Sequence, residues 1–298
     1  MKSAIAIITY NRVHALKETL TGLTKFCPDY PLAIFEDCGQ RDGTETFLRP
    51  GDITQEKGIS RPDLLALEYR APHLGKDVSV FMGTTNLGVA GNSNRALKWF
   101  FDSECDHLCL LNDDLHVLGD FVNFYGKAHD DLEVGMFSFC DFTHHDSYRW
   151  MTVNSRGYRV KMCPRMTGIM MSITRPVINR IGYFDARFGK FGEEHCDYMN
   201  RARFGGFLNL DGQPQVQLDL ECNPPVLKHQ EVETSVTGSE RQLADIESVR
   251  VMRQVASRYG QDPIYRQFAL RVPKVAGFGG NGIPVDNLGR YVLADAPA

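Results

Sequence analysis

Short apolar runs alternate with amphipathic segments over the first 112 residues of the chain. The apolar runs predict β-strands at 4–8, 31–35, 78–81 and 107–112. After the first strand, Leu16, Leu20 and Leu23 recur at helical spacing, and Asn11 is the expected N-cap of that helix. A second helix with an apolar face is predicted over 92–101. Such alternation is typical of a parallel sheet whose strands are joined by helical crossovers.

The pattern changes after about residue 135, where strand-like pieces and turns replace the regular alternation. The later segments are a strand over 167–174, a short helix over 176–181 and a long helix over 239–259. The long helix is expected to pack through residues that are roughly in phase, Leu243, Ile246, Val249 and Val255. Residues 50–75 are polar and contain proline and glycine, which predicts an insertion or a long loop.

Composition narrows the class of protein. The chain has 298 residues, 43% hydrophobic and 23% charged, as expected of a soluble globular protein with a full core. Its net charge of −4 argues against a general nucleic-acid-binding surface. No apolar run is long enough to span a bilayer, and the apolar start is too short for a signal peptide. Eight cysteines without a CxxC pair predict reduced thiols, so a cytoplasmic protein is expected.

Polar residues follow four of the predicted strands or the loops after them. These segments are Thr9-Tyr10-Asn11-Arg12, Glu36-Asp37, the loop 86–91 and Asn112-Asp113-Asp114. In an open α/β sheet the carboxyl ends of parallel strands meet at one edge, which is where such sheets bind ligands. Two acids directly after a buried strand suit Mg²⁺ or Mn²⁺ held together with substrate phosphates.

Five short motifs occur in an order that resembles the family 2 glycosyltransferases. They are Ile7 to Arg12, Phe35 to Thr44, Asn86 to Leu97, Leu111 to Asp114, and Thr167-Gly168 through Ile181 to Asp185. The resemblance implies the GT-A fold, an α/β fold with a Rossmann-like, mostly parallel central sheet and a smaller acceptor-side sheet. The implied catalytic domain is 1–238, divided at about 118 into a nucleotide-binding and an acceptor-side half. Residues 239–298 would add a C-terminal helix and a Gly/Pro-rich tail.

The resemblance also implies roles for individual residues. Asp37 would hold the base or ribose of the donor, and Asn112 and Asp113 its ribose, diphosphate or metal-bound waters. The other residues expected around the nucleotide sugar are Thr9, Tyr10, Arg12, Asn86, Gly91 and Asn94. Asp114 stands at the last position of the family's metal motif, in which Asn112 replaces the first acid. Asp114 and His229 are therefore the expected ligands of Mn²⁺ or Mg²⁺.

The catalytic base is expected in the acid-rich segment Gly192 to Arg201. Aligning Asp197 and Arg201 with the family pattern places His195 where the family has its aspartate, and Glu194 one residue earlier. A carboxylate that reaches the acceptor hydroxyl is what an inverting displacement needs, so Glu194 is favoured. His195 remains an alternative, because an ordinary histidine pKa near 6.5 suits base chemistry. Asp197 is expected to anchor the loop or the acceptor.

The predicted function is metal-dependent, inverting transfer of a sugar from a nucleotide diphosphate, with a UDP-sugar the expected donor. A nucleotidyltransferase and an inactive nucleotide-sugar-binding protein remain alternatives. A Rossmann dehydrogenase is excluded, because no G-x-G-x-x-G follows the first strand. The acceptor is left open among a glycan, a small molecule, a protein and a modified nucleobase. Tyr148, Trp150 and Tyr158 lie in the region, about 140–166, where this fold usually builds its acceptor wall.

Overall fold

The structure is a computed structural model, and its described residues are 1–39, 42–49, 58–75, 78–139, 151–163, 166–230, 238–259 and 265–270. The strands in this part of the chain are β1 (Ser3–Thr9), β2 (Leu32–Glu36), β3 (Ile59–Arg61), β4 (Ala66–Arg70), β5 (Val78–Gly83), β6 (His107–Asn112), β7 (Leu115–Val117), β8 (Met136–Ser138), β9 (Met151–Ser155), β10 (Tyr158–Cys163), β11 (Met170–Thr174), β12 (Asn209–Leu210), β13 (Gln213–Pro214), β14 (Gln217–Glu221) and β15 (Leu227–His229).

The helices connect these strands and cover the sheet. They are α1 (Val13–Phe26), α2 (Thr44–Leu48), α3 (Gly88–Asp102), α4 (Phe121–Leu132), α5 (Arg175–Ile181), α6 (Glu194–Phe204) and α7 (Gly238–Ala256), with single 3₁₀ turns at Pro62–Leu64 and Ala186–Phe188. None of the helices in the described ranges is long and apolar enough to cross a membrane.

Eight strands form the central sheet, in the order β3-β4-β5-β2-β1-β6-β11-β8. The four middle strands, β5, β2, β1 and β6, are parallel, and the flanking strands are antiparallel to their neighbours. All seven residues of β1 are buried, because a parallel strand is covered on both faces and therefore has no polar alternation. The chain order reverses at β1, which has β2 on one side and β6 on the other.

Smaller sheets carry the second half of the chain. β14, β10 and β9 form an antiparallel sheet, and Tyr158 in β10 donates its hydroxyl to Asp131 at 2.6 Å. Tyr148, Trp150 and the tail after residue 270 lie outside the described residues. β15 pairs with β7 so that His229 stands opposite Leu115, the residue directly after Asp114. This ribbon brings a residue more than a hundred positions away to the end of β6.

The predicted strands at 4–8, 31–35, 78–81 and 107–112 are confirmed, and so is the helix that contains Leu16. Two predicted details of the helices were wrong, the N-cap of α1 and the start of α3. The carboxylate of Asp42, not Asn11, accepts the first amide of α1, Val13 N–H, at 2.6 Å. Helix α3 begins at Gly88 and not at Asn92 as expected, and the φ of Gly88 is +71°.

Other departures concern the edges of the fold. Residues 59–70, expected in a loop, form the hairpin β3–β4, which extends the sheet beyond β5. The strand expected from residue 167 begins at Met170 and runs antiparallel to β6. The long helix packs through Ser248, Val251 and Val255, whereas Ile246 is 69% exposed, so the expected apolar face was wrong in part. The division of the chain at residue 238 stays a prediction.

Candidate active site

A cluster of charged side chains lies at the carboxyl ends of β1 and β6, where the sheet reverses its order. Thr9 Oγ1 donates to Asp113 Oδ2 at 2.6 Å. Arg12 Nη1 donates to Asp113 Oδ1 at 3.3 Å and to Asp114 Oδ2 at 2.5 Å. Open α/β sheets bind ligands at such reversal points because the loops from the two strands diverge and leave a crevice. The structure thus brings together Thr9, Arg12, Asp113 and Asp114, as expected.

Asp114 is the acid of this cluster that has bonding capacity left. Its side chain is buried, its Oδ2 lies 3.5 Å from His229 Nε2, and its Oδ1 has no hydrogen-bond partner among the described residues. Burial works to raise the pKa of Asp114, but the contacts with His229 and Arg12 outweigh it and hold the pKa below its usual value. Asp114 is therefore a carboxylate with one unpartnered oxygen.

These residues fit a divalent cation. The described ranges contain no group of three or more histidine, cysteine or acidic side chains arranged to hold a metal ion. One carboxylate and one imidazole, Asp114 and His229, nevertheless make a suitable partial set, because phosphate oxygens and waters usually complete such a shell. The unpartnered Oδ1 of Asp114 is the observation that favours this fit. An imidazole ligand suits Mn²⁺ better than Mg²⁺.

Asp113 has a different environment from Asp114. Burial and the neighbouring charge of Asp114 raise the pKa of Asp113 to about 7, although Arg12, Thr9 and the backbone of Tyr10 act in the opposite direction. Both of its oxygens accept hydrogen bonds, from Thr9 and from Arg12. This geometry makes Asp113 the residue that joins the ends of β1 and β6.

Glu194 is the first residue of α6 and is 2% exposed. His195 Nδ1 lies 3.0 Å from Glu194 Oε1, and Glu194 Oε2 has no hydrogen-bond partner in the described part of the chain. Burial works to lower the pKa of His195, but contacts with Cys196 and Glu194 raise it to about 10. An imidazolium at neutral pH has no lone pair to accept a proton, whereas Glu194 has a carboxylate oxygen without a partner among the described residues.

The loop before Glu194 is held by the C-terminal helix. Ser248 Oγ in α7 accepts the Glu193 amide at 2.5 Å. A Cβ on Gly192, whose φ is +146°, would collide with the same oxygen, so this close approach requires glycine. Below the loop, Asp197 is fully buried and accepts hydrogen bonds from Arg201 and Tyr259, both at 2.9 Å. Asp197 thus anchors α6 rather than pointing into the site.

Several residues expected around the nucleotide sugar hold the protein together. Asp37 is buried and accepts the amides of Leu87 and Gly88, at 2.9 and 2.7 Å, and Arg95 Nη1 at 2.9 Å. Asn94 bonds both backbone groups of Phe184. Two further members are Asn86, which accepts the Gly88 amide, and Gly91, which packs against Leu87. Their contact with a donor stays a prediction.

A cavity of about 960 Å³ opens beside Asn112. Asn112, Glu194 and His195 line it, as do residues that the sequence analysis did not select, among them Ser93, Phe184, Phe191, Met252 and Tyr259. Ser93 and Phe184 lie within the motifs quoted above, but nothing in the sequence marks these five residues as neighbours, because they come from α3, the segment between α5 and α6, α7 and the turn after it. Their arrangement around one cavity depends on how distant helices pack.

No protein family model matches the chain, and no curated protein sequence is similar to it. Solved structures are similar. GalNAc-T7 with UDP, GalNAc and Mn²⁺ superposes with a TM-score of 0.54 at 12% identity, covering 85% of this chain and 48% of that one. S. aureus TarS 1–349 with UDP-GlcNAc gives 0.50 at 15% identity, covering 86% and 66%. The chain has the GT-A fold. The predicted fold class is thereby confirmed.

A third GT-A structure is also similar, at a lower score. The mannosyltransferase PcManGT from Pyrobaculum calidifontis, in complex with GDP-Man and Mn²⁺, has a TM-score of 0.47 and 16% identity, covering 69% of this chain. The present chain spans about half the length of PcManGT and of GalNAc-T7, 53% and 48% respectively.

Proposed function

We propose that this chain is a metal-dependent, inverting glycosyltransferase, which moves a sugar from a nucleotide diphosphate to a hydroxyl group of an acceptor. The observation that carries the proposal is a pair of buried carboxylates, Asp114 and Glu194, each with one oxygen that has no hydrogen-bond partner among the described residues. Asn112 relates the two carboxylates in space: it lies two residues before Asp114 in the chain, and it lines the same cavity as Glu194. The GT-A neighbours that hold UDP or UDP-GlcNAc support a UDP-sugar as the donor.

The cluster at the end of β6 supports a role in binding the donor diphosphate. Asp114 and His229 would hold a divalent cation, whose positive charge would offset the negative charge that builds on the departing diphosphate. Arg12 is a second positive group at this edge, and its planar guanidinium is well suited to phosphate oxygens. Thr9 and Asp113 keep the two strand ends together and so fix where Arg12 stands.

Glu194 is the proposed general base. As the acceptor oxygen bonds to the anomeric carbon, its proton passes to Glu194 Oε2. The bond between that carbon and the diphosphate breaks, and its electron pair leaves with the nucleotide diphosphate. A single displacement of this kind inverts the anomeric configuration. His195 donates to the other oxygen, Oε1, and thereby leaves Oε2 for the acceptor.

The test combines donor binding with turnover. Thermal shifts with UDP-, GDP- and dTDP-sugars in the presence of Mn²⁺ select the donor, because a ligand that binds the folded state raises the melting temperature. Hydrolysis of that donor then serves as an assay that needs no known acceptor. We expect Glu194→Gln to lower kcat by about a hundred- to ten-thousand-fold with the donor Kd unchanged. Glu193→Gln, one residue away on the same cavity, is the matched control and should change kcat little.

Other outcomes would point to other functions. A loss of turnover in His195→Gln with a mild effect of Glu194→Gln would move the base to His195. Unchanged Mn²⁺-dependent donor binding in a folded Asp114→Asn variant would remove the proposed metal site. A product with a transferred nucleotide would favour a nucleotidyltransferase, and donor binding without any turnover a nucleotide-sugar-binding protein. A retained anomeric configuration would exclude the single displacement.

A further inference from the structure

Besides Glu194, the cavity beside Asn112 contains a second buried polar group that has no partner in the described part of the chain. Its lining combines polar side chains with apolar ones, which include Ile8 from β1, Leu110 from β6 and Met171 from β11. Ser93 of α3 also lines it, is 1% exposed and has an Oγ with no hydrogen-bond partner in the described ranges. Buried hydroxyl groups in proteins are normally paired, so an unpaired one on a cavity wall calls for a ligand.

Ser93 differs from the polar residues next to it in α3. Asn92 donates to the carbonyl of Phe35 at 2.8 Å, and Asn94 and Arg95 are likewise bonded to protein groups. These neighbours stabilise the fold through their polar atoms. The hydroxyl of Ser93 adds nothing comparable to the free protein, since a buried donor without an acceptor is unfavourable. A structural role for the Ser93 hydroxyl is therefore not supported.

The place of Ser93 indicates which ligand reaches it. The proposed function places the donor diphosphate at Asp114, and the transferred sugar is bonded directly to that diphosphate. Asn112 lies two residues before Asp114 and lines the cavity. The cavity is therefore the neighbouring space that a sugar bonded to a diphosphate at Asp114 would occupy. The apolar lining residues suit the carbon–hydrogen face of a sugar ring, whose hydroxyls then need polar partners in the same cavity.

We propose that Ser93 Oγ hydrogen-bonds a hydroxyl or amide group of the transferred sugar and thereby helps to determine which donor is accepted. This inference rests on the proposed function, because it needs the diphosphate at Asp114. The proposal adds to the donor site a residue, Ser93, that contacts the sugar and not the nucleotide. Ser93 should therefore affect affinity for the complete nucleotide sugar and leave affinity for the free nucleotide unchanged.

The test is Ser93→Ala, measured by thermal unfolding and by calorimetry with Mn²⁺. The ligands are UDP, GDP and dTDP and the corresponding UDP-glucose, GDP-mannose and dTDP-glucose. We expect an unchanged or higher melting temperature, because the variant removes an unpaired buried hydroxyl. The Kd of the nucleotide should not change, whereas the Kd of the bound nucleotide sugar should rise about 3- to 10-fold, which is typical of one hydrogen bond.

Ser172→Ala is the matched control. Ser172 is also a fully buried serine, but its Oγ contacts the Nε2 atoms of His107 and His129 at 2.7 and 2.8 Å. We expect this variant to melt at a lower temperature and to bind both kinds of ligand like the wild type. The contrast between the two serine variants separates loss of a structural hydrogen bond from loss of a ligand contact.

The other outcomes overturn the inference in distinguishable ways. If the wild type binds none of the nucleotides, the proposed function fails and the inference fails with it. If the wild type binds them but Ser93→Ala binds nucleotide and nucleotide sugar equally well, only the inference fails. A parallel loss for free nucleotide and nucleotide sugar would assign Ser93 to nucleotide binding or to folding. A changed acceptor KM with an unchanged donor Kd would assign it to the acceptor.

Discussion

Replacing Asp37 by alanine separates the two roles that this residue can have. In the structure its carboxylate pairs with Arg95, which is fully buried, and accepts the amides of Leu87 and Gly88 at the start of α3. Burial raises the pKa of Asp37 and lowers that of Arg95, and the attraction between the two charges opposes both shifts only in part. Without Asp37 the guanidinium stays buried, because its Nε and Nη2 donate to the carbonyls of Leu64 and Leu65.

Removing one partner of a buried ion pair lowers the free energy of unfolding by about 3–5 kcal/mol. That is a large part of the roughly 5–15 kcal/mol that stabilises a typical domain. We therefore expect Asp37→Ala to unfold at a much lower urea concentration, or to be unfolded. Asp63→Ala is the control, since Asp63 pairs with Arg61 at a surface site that is 40% exposed and should lose about 1 kcal/mol or less.

The assay is urea unfolding followed by circular dichroism, together with donor binding by calorimetry. If Asp37→Ala keeps its unfolding free energy within about 1 kcal/mol of the wild type while donor affinity falls, Asp37 does not stabilise the fold as a buried ion-pair partner. Asp37 would then act on the nucleotide, as the resemblance to family 2 implies. Loss of stability with intact donor affinity in the remaining folded protein would confirm the structural role.

Three further predictions address other sites. Burial lowers the pKa of His129 from 6.5 to about 4, so protonation of this histidine favours the unfolded chain. The free energy of unfolding should therefore fall by about 3 kcal/mol between pH 6.5 and 4. In urea unfolding, His129→Gln should depend less steeply on pH over this range than the wild type does. Gly192→Ala should collide with Ser248 and reduce kcat and melting temperature together, as assayed by donor hydrolysis and thermal unfolding. Arg12→Met should bind Mn²⁺ alone more tightly, because the guanidinium competes for Asp114, yet bind a nucleotide diphosphate more weakly in calorimetry.

Local pattern was sufficient for the middle of the sheet and for the order of the motifs. The buried runs of β1 and β6 are continuous in sequence, because parallel strands are covered on both faces, and they can be recognised without knowing their neighbours. The same holds for the position of Asp114 after a strand and of Glu194 in an acid-rich segment. Each is a carboxylate by residue type, and each lies at the end of an element, Asp114 after the last residue of β6 and Glu194 at the first residue of α6.

Sequence could not decide which polar residues are left for a ligand. Asp37 bonds amides 50 and 51 residues away, and Asn94 bonds Phe184, 90 residues away. Whether such a side chain faces a substrate or the protein depends on a partner that only the packed fold brings close. Ser93 stands between two such residues, Asn92 and Asn94, and differs from them because its hydroxyl has no partner among the residues that the structure describes.

The C-terminal helix shows the same limit at the level of a whole element. Its sequence predicts a helix, and the helix is present, but its apolar positions do not specify which face packs inward. In the structure Ser248 and Val255 are buried, whereas Ile246 is exposed, because the helix lies against the loop that carries Glu194. Sequence determined the elements and their chemical groups, since those depend on neighbouring residues. Tertiary structure decided which groups meet in the site, since that depends on contacts between distant parts of the chain.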